Sequence, residues 1–201
     1  MKPAFQEQVA VLGQRREALL REAGALTEAQ LTFQPVTGAW SIQQVIEHLL
    51  LVEGGIVERV TTRLPRAVRI RARDRLGYAA VWIALRYGLR VKAPVQSVMP
   101  RQGITLSDGS ERWRLLLGSL AAHLEAVPDE DLGLTVFKHP IGGPMTLDEA
   151  LLFITRHFDH HLRQIARIRN SAGFPIAATQ PTQATAPRHV DSMHGRPSSK
   201  R

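Results

Sequence analysis

The stretch RHFDHHLRQI, residues 156–165, holds three of the eight histidines of this 201-residue chain, in a segment whose neighbours are mostly apolar or basic. Imidazole here can do acid–base chemistry or bind a metal. The chain has no cysteine, which removes disulfides, a cysteine nucleophile and every thiolate metal site. A metal would have to be held by His, Asp, Glu or neutral oxygens. Advancing about 100° per residue along a helix puts Leu147, Leu151, Ile154, Phe158, Ile165 and Ile168 on one stripe. His157 and His161 fall inside that stripe, four residues apart, with Cβ atoms about 5–6 Å from each other. His160 and Asp159 project elsewhere, alongside Arg156 and Arg163, toward solvent.

A second segment, WSIQQVIEHLLLVEGGIVERV, gives a parallel result. Ile42, Val45, Ile46, Leu49 and Ile56 form its apolar face, and His48 sits at the edge of that face, able to enter the same interior. Three neutral imidazoles with one open position are the ligand set of a catalytic divalent site, whereas a structural zinc site is normally closed by four protein ligands. The plainer alternative is that each ring only donates to a carbonyl or carboxylate. Burying an imidazole without a partner costs about 1–3 kcal/mol, and coordination is one way to avoid that cost. Gln164 falls on the flank next to His157, where it could orient a ligand or simply lie on the helix surface. Glu47 and Glu53 lie off the His48 direction and read as solvated.

The remaining histidines rank lower. His139 precedes Pro140 in a loop, and His157 lies about 16 Å along the helix from Thr146, so His139 is a poor ligand. His123, between Leu120 and Leu124, reads as a partly buried packing residue. Ser and Thr offer no nucleophile elbow, and no Gly-rich phosphate loop follows a strand. Catalytic residues beyond a metal are therefore unassigned.

Four helices must position these groups. The first spans roughly Ala4 to Ala23 and is amphipathic. After a loop with Pro35 and Gly38, Ser41 and Gln44 make a capping box that starts the second. Asp108 and Glu111, at cap spacing, open a third that runs to Val127 before Pro128. Thr146 and Glu149 form another capping box that opens the fourth, ending near Asn170. Between the second and third lies a long basic connection with a short apolar helix around Tyr78 to Leu89. No strand-like alternation and no repeat are visible. From Ser171 on the chain is rich in Pro, Thr, Ser and Ala without apolar periodicity, so a disordered tail, 171–201, follows a single domain, 1–170.

Composition narrows the class. Hydrophobic residues make up 44% and charged residues 22%, ordinary for a soluble globular chain. No run approaches the roughly 18 apolar residues of a membrane span, and the first residues lack the apolar core of a signal peptide, so a cytoplasmic location is expected. The net charge of +8 is local: residues 63–92 hold nine Arg or Lys and one Asp, which accounts for all of it.

GAWSIQQVIEHLL followed far downstream by HPIGGPMTLDEALLFITRHFDHHLRQI resembles the DinB-like superfamily of bacterial four-helix bundles. The resemblance rests on Trp40-Ser41, His48, His139-Pro140 with Gly143, and the His157, His161 and Gln164 set, and it covers most of residues 1–170. It implies an all-α four-helix bundle of up-down-down-up connectivity, with a long crossover between helices two and three, for which residues 61–107 are long enough. It also implies a divalent metal, zinc first with nickel or another transition metal as alternatives, on His48, His157 and His161. Relatives of this kind include S-transferases for low-molecular-weight thiols, isomerases and a few hydrolases, and some are dimers.

Three functional readings follow. The first is a metal-dependent thiol S-transferase or hydrolase, whose thiol must arrive with a small-molecule substrate because the chain has none. The second is a non-catalytic binding or structural bundle stabilised by metal or by a histidine network. The third uses Arg63, Arg66, Arg69, Arg71, Arg73 and Arg75, with Val68, Ile70, Leu76 and Trp82 between or after them, to meet an anionic membrane surface weakly. Specific nucleic-acid reading is not expected, since no recognition-helix motif is visible. A solvated basic face over one end of the bundle is the plainer account of those arginines.

Overall fold

The computed structural model describes residues 3–89, 95–101 and 103–176. Its helices are α1 (Pro3–Gly24), α2 (Glu28–Thr32), α3 (Ile42–Thr62), α4 (Ala72–Tyr87), α5 (Leu106–Ala126) and α6 (Leu147–Arg169), with one small hairpin, β1 (Phe137–His139) and β2 (Gly143–Met145). The four long helices α1, α3, α5 and α6 form the bundle, in which α1 and α3 each pack against both α5 and α6.

Side-chain pairings give the directions. Gln8 meets Asp148, Arg15 meets Asp159 and Glu22 meets Arg169, so α1 and α6 run parallel. Gly109 lies near Ile46 and Leu50, and Gly54 near Leu116, so α3 and α5 also run parallel. His48 lies beside His157 and His161 while Leu49, Val52 and Glu53 border Ile154 and Phe158, so α3 and α6 are antiparallel. The connectivity is up-down-down-up. Parallel neighbours cannot be joined by a short turn, which is why some forty residues separate α3 from α5.

The caps at Ser41 and Thr146 have the expected geometry, each side chain accepting from the backbone N–H three residues on. The apolar stripes close the core: Ile42, Ile46, Leu124 and Ala150 are fully buried. Several expectations need correction. The N-cap of α5 is Thr105, whose Oγ1 accepts from Asp108 N–H at 3.1 Å, while Glu111 pairs with Arg114 on the surface. The crossover helix starts six residues before Tyr78, because the Asp74 carboxylate caps Arg71 N–H at 2.9 Å; it ends at Gly88, whose φ of +68° stops it before Leu89. The hairpin, with Phe137 opposite Met145 and His139 opposite Gly143, is too short to show alternation in sequence. Finally, α2 occupies part of the expected loop, and its box, Thr27 with Gln30, has the same spacing as those of α3 and α6. Of the expected tail, residues 171–176 continue against the bundle, with Phe174 edge-on to Phe33 and Gln30 Nε2 donating to Pro175 O at 2.8 Å; residues 177–201 lie outside the described residues.

Glu53 is not solvated. It is 2% exposed, ion-paired with the equally buried Arg16 of α1, and its Oε2 accepts from Trp113 Nε1–H at 2.8 Å. Trp113 in turn packs on Phe158, with ring centroids 6.0 Å apart. One residue from each bundle helix therefore meets in a single layer.

Helix α4 lies on α6 and on the hairpin. At Gly77 the backbone comes so close that a methyl group would collide with the Ile141 carbonyl oxygen. Replacing Gly77 with Ala should therefore destabilise the protein by about 1–3 kcal/mol, whereas Gly118→Ala, on the open side of α5, should stabilise it by about 0.4–1 kcal/mol; urea unfolding of both variants checks the contrast. Glu53→Ala should cost about 3–5 kcal/mol by leaving the Arg16 charge buried alone, and an Arg16→Leu/Glu53→Leu double variant should recover most of that loss in the same assay.

Candidate metal centre

Antiparallel packing of α3 and α6 brings His48 level with His157 and His161. His48 and His161 are buried, and His157 is packed round by protein but keeps an edge on an open cleft. Nε2 of His157 lies 3.3 Å from Nε2 of His48 and 3.2 Å from Nε2 of His161. One ligand atom from each of the three lies within 4.8 Å of the others, the one cluster of this kind among the described residues.

The other ring nitrogens define the tautomers. Nδ1 of His48 lies 2.6 Å from the Val98 carbonyl, which can only accept, so this nitrogen carries the proton. Nδ1 of His161 lies 2.7 Å from Gln164 Oε1, which likewise accepts. Both Nε2 atoms therefore present lone pairs to Nε2 of His157, which has at most one proton to offer the two. A centre with more lone pairs than protons calls for an electron-pair acceptor. The spacing fits as well: two ligands at about 2.0–2.1 Å in a tetrahedral arrangement are separated by about 3.3–3.4 Å. The residues thus fit a divalent transition metal with an open position, and Val98 O and Gln164 Oε1 are the outer partners that such ligands need.

Burial keeps the rings neutral. It pushes the His48 imidazole below its ordinary value, partly offset by the Val98 carbonyl; it pushes His161 down to about 3, and His157 well below the ordinary value, with the neighbouring imidazoles adding to the effect. Neutral imidazole is the form that binds a metal. Aromatic rings fix the orientations. Trp40 lies against His48 at 4.8 Å and Phe153 is stacked on His157 at 5.4 Å. Phe153, four residues before His157 on α6, is within reach of helical periodicity, whereas Trp40 and the Val98 carbonyl are not, because periodicity says nothing of what a distant loop delivers.

The remaining candidates are placed as follows. His139 is not in the cluster: its Nδ1 accepts from Ile141 N–H and Gly142 N–H at 3.1 and 2.8 Å, shaping the hairpin turn, and burial lowers it to about 4. His160 is half-buried rather than turned to solvent, edge-on to His161 at 5.0 Å and lining the cleft. His123 is half-buried on α5. Glu47 is not simply solvated either, since its Oε2 accepts from Arg101 N–H and Gly103 N–H at 3.1 and 2.7 Å. With Gln43 donating to Ile104 O and Gln44 to Arg101 O, it holds the end of the crossover against the first turns of α3, where Val98 reaches His48. The cleft has a volume of about 1500 Å³ and is bounded by both bundle and crossover, including Trp40, Val81, Leu85, Met99 and Gln164.

The family model of the DinB superfamily matches residues 12–165. The chain belongs to the DinB superfamily. Its fold is similar to that of YfiT from Bacillus subtilis, reported as a probable metal-dependent hydrolase with an unusual four-helix bundle topology, at a TM-score of 0.57 and 20% identity over 84% of this chain and 87% of that one. A search of curated proteins found no match.

Gln164→Leu should lower the affinity for Zn²⁺ about 10- to 100-fold, because His161 would lose the acceptor that orients its ring; competition with a chromophoric chelator measures it, and the thermal stability of the metal-free protein should change little.

Proposed function

We propose that this DinB-superfamily protein is a metal-dependent enzyme that activates a small nucleophile in the cleft beside His48, His157 and His161. The observation that carries this reading is the convergence of three Nε2 atoms, two of them with lone pairs fixed by their own hydrogen bonds, at the edge of an open cavity. A divalent ion held there, zinc by preference, would supply Lewis acidity, lowering the pKa of a thiol or of water and polarising an electrophile. The protein's own residues do the rest. Val98 and Gln164 hold two imidazoles in the tautomer that offers Nε2, Trp40 and Phe153 keep the rings from turning, and the apolar side chains Val81, Leu85 and Met99 limit water around the reacting groups.

Between the two nucleophiles, a low-molecular-weight thiol is favoured. Of the two acidic groups beside His48, Glu53 is sealed against Arg16 and Glu47 already uses one oxygen to accept two backbone N–H groups of the crossover, which favours a nucleophile that needs little help from a carboxylate. A thiol needs less help, since its pKa starts near 8.5 rather than at that of water. The chain has no thiol of its own, so the sulfur comes with the substrate, and a reducing cytoplasm is the compartment that would keep it available. Hydrolysis is the second reading, favoured by the similarity to YfiT.

Tag-free protein should carry close to one divalent ion per chain by elemental analysis, and His157→Ala/His161→Ala should carry none. The loaded protein should consume thiol with a chloro-dinitrobenzene or bimane electrophile, or cleave activated esters or amides, and the double variant should lose at least about two orders of magnitude in rate, the scale of removing a Lewis acid. Stoichiometric metal with no turnover on either panel would leave a metal-stabilised binding bundle; absence of metal would overturn the reading.

A further inference from the structure

We infer that the outer face of the crossover, the arm 63–71 and helix α4, is a docking surface for an anionic lipid bilayer. This rests on a different part of the molecule from the histidine cluster and does not depend on the proposed activity. Helix α4 has two apolar faces. The inner one, with Val81 and Leu85 buried and Gly77 against the hairpin, packs on the bundle and lines the cleft. The outer one carries Leu76, Ile83 and Tyr87 at i, i+7 and i+11, on one stripe with Ala72, Ala79 and Ala80. These large side chains are left 73%, 52% and 72% exposed. The extended arm before the helix adds Leu64, Val68 and Ile70, all exposed, and is tied to the body by the Arg66–Thr135 backbone bridge.

Charge selects the occupant. Residues 63–87 contain seven arginines and a single acid, Asp74. The arginines are all exposed, whereas Asp74 caps the start of α4 and lies against Gly143. On the helical wheel Arg75 and Arg86 flank one side of the Leu76–Ile83–Tyr87 stripe and Arg73 flanks the other. Apolar side chains at the centre with guanidinium groups at both margins suit the boundary between acyl chains and anionic headgroups, where the former bury and the latter meet phosphate. A second copy of this chain fits poorly, because a two-fold contact would set the same excess of arginines against itself. Nucleic acid would use the arginines but leave the apolar stripe without a role. Trp82 is not part of the surface, being half-buried and packed against Tyr78 at 5.5 Å. No helix among the described residues is long and apolar enough to cross a membrane, so the contact is peripheral.

The test is co-sedimentation of the full-length protein with phosphatidylglycerol-containing vesicles and with pure phosphatidylcholine vesicles, at low and at physiological ionic strength. Binding should be confined to the anionic vesicles and fall with salt. Each of Arg73→Gln, Arg75→Gln and Arg86→Gln should reduce partitioning about fivefold, equivalent to about 1 kcal/mol per arginine near the surface. Leu76→Gln/Ile83→Gln should reduce it at least tenfold while leaving the unfolding midpoint unchanged, since neither side chain is in the core. Absence of binding to anionic vesicles at low ionic strength would overturn the inference. So would binding that is insensitive to the Leu76/Ile83 change and equal on duplex DNA, which marks a mere polyanion contact. A dimer in sedimentation equilibrium that the same double substitution dissociates would assign the surface to a second copy instead.

Discussion

The Arg16–Glu53 ion pair, sealed in the middle of the bundle, constrains everything around it. It joins α1 to α3 across the diagonal, and Trp113 from α5 donates to the second carboxylate oxygen, while Nε and Nη1 of Arg16 stay without a hydrogen-bond partner among the described residues. Two charges removed from water need each other, and separating them would leave each buried without its counter-charge. Burial alone pushes the Arg16 guanidinium down to about 10, a sign of how dry the layer is. A bundle held by leucines could slide or rotate by a fraction of a turn at little cost. This one cannot, because rotating α3 would separate Glu53 from both partners.

That constraint reaches the candidate metal centre through rigid helix geometry. His48 lies five residues before Glu53 on α3, and Phe158, which packs on Trp113, is the neighbour of His157 on α6. Fixing the rotation of both helices at the charged layer aims the three imidazoles one turn away. The ring orientations are then finished locally, by a carbonyl from the crossover, an amide on α6 and two aromatic faces. Coarse aim thus comes from the core and fine aim from the surroundings of the site.

How much of this was legible in the sequence follows from what local rules can see. Capping boxes and helical stripes depend on residues three or four apart, so Ser41, Thr146 and the buried faces of α3 and α6 could be read directly, and His48, His157 and His161 with them. Gln164 could be placed near the histidine pair for the same reason, but the helical wheel sets it beside His157 whereas the structure bonds it to His161. The Glu53 environment could not, because its partners are 37 and 60 positions away on other helices, and an acidic residue beside two glycines looks like surface. Glu47 and His160 escape for a related cause: a helical wheel assumes that the side away from the core meets water, whereas here the end of the crossover bonds to Glu47 and His160 lines the cleft against His161. The hairpin escaped because three-residue strands have no period to detect.

The crossover itself follows from the directions of the helices. With α3 and α5 parallel, the chain has to travel the length of the bundle between them, and the described parts of this return path, 63–89, 95–101 and 103–105, border the histidine cleft. The architecture therefore separates two kinds of sequence change. Alterations in the bundle disturb the charged layer and the ligands together, while alterations in the return path reshape the walls of the cleft and leave the imidazoles where they are, provided one carbonyl still reaches His48. A fold of this topology can keep one histidine cluster and change the shape of the cleft beside it by rewriting a single connection.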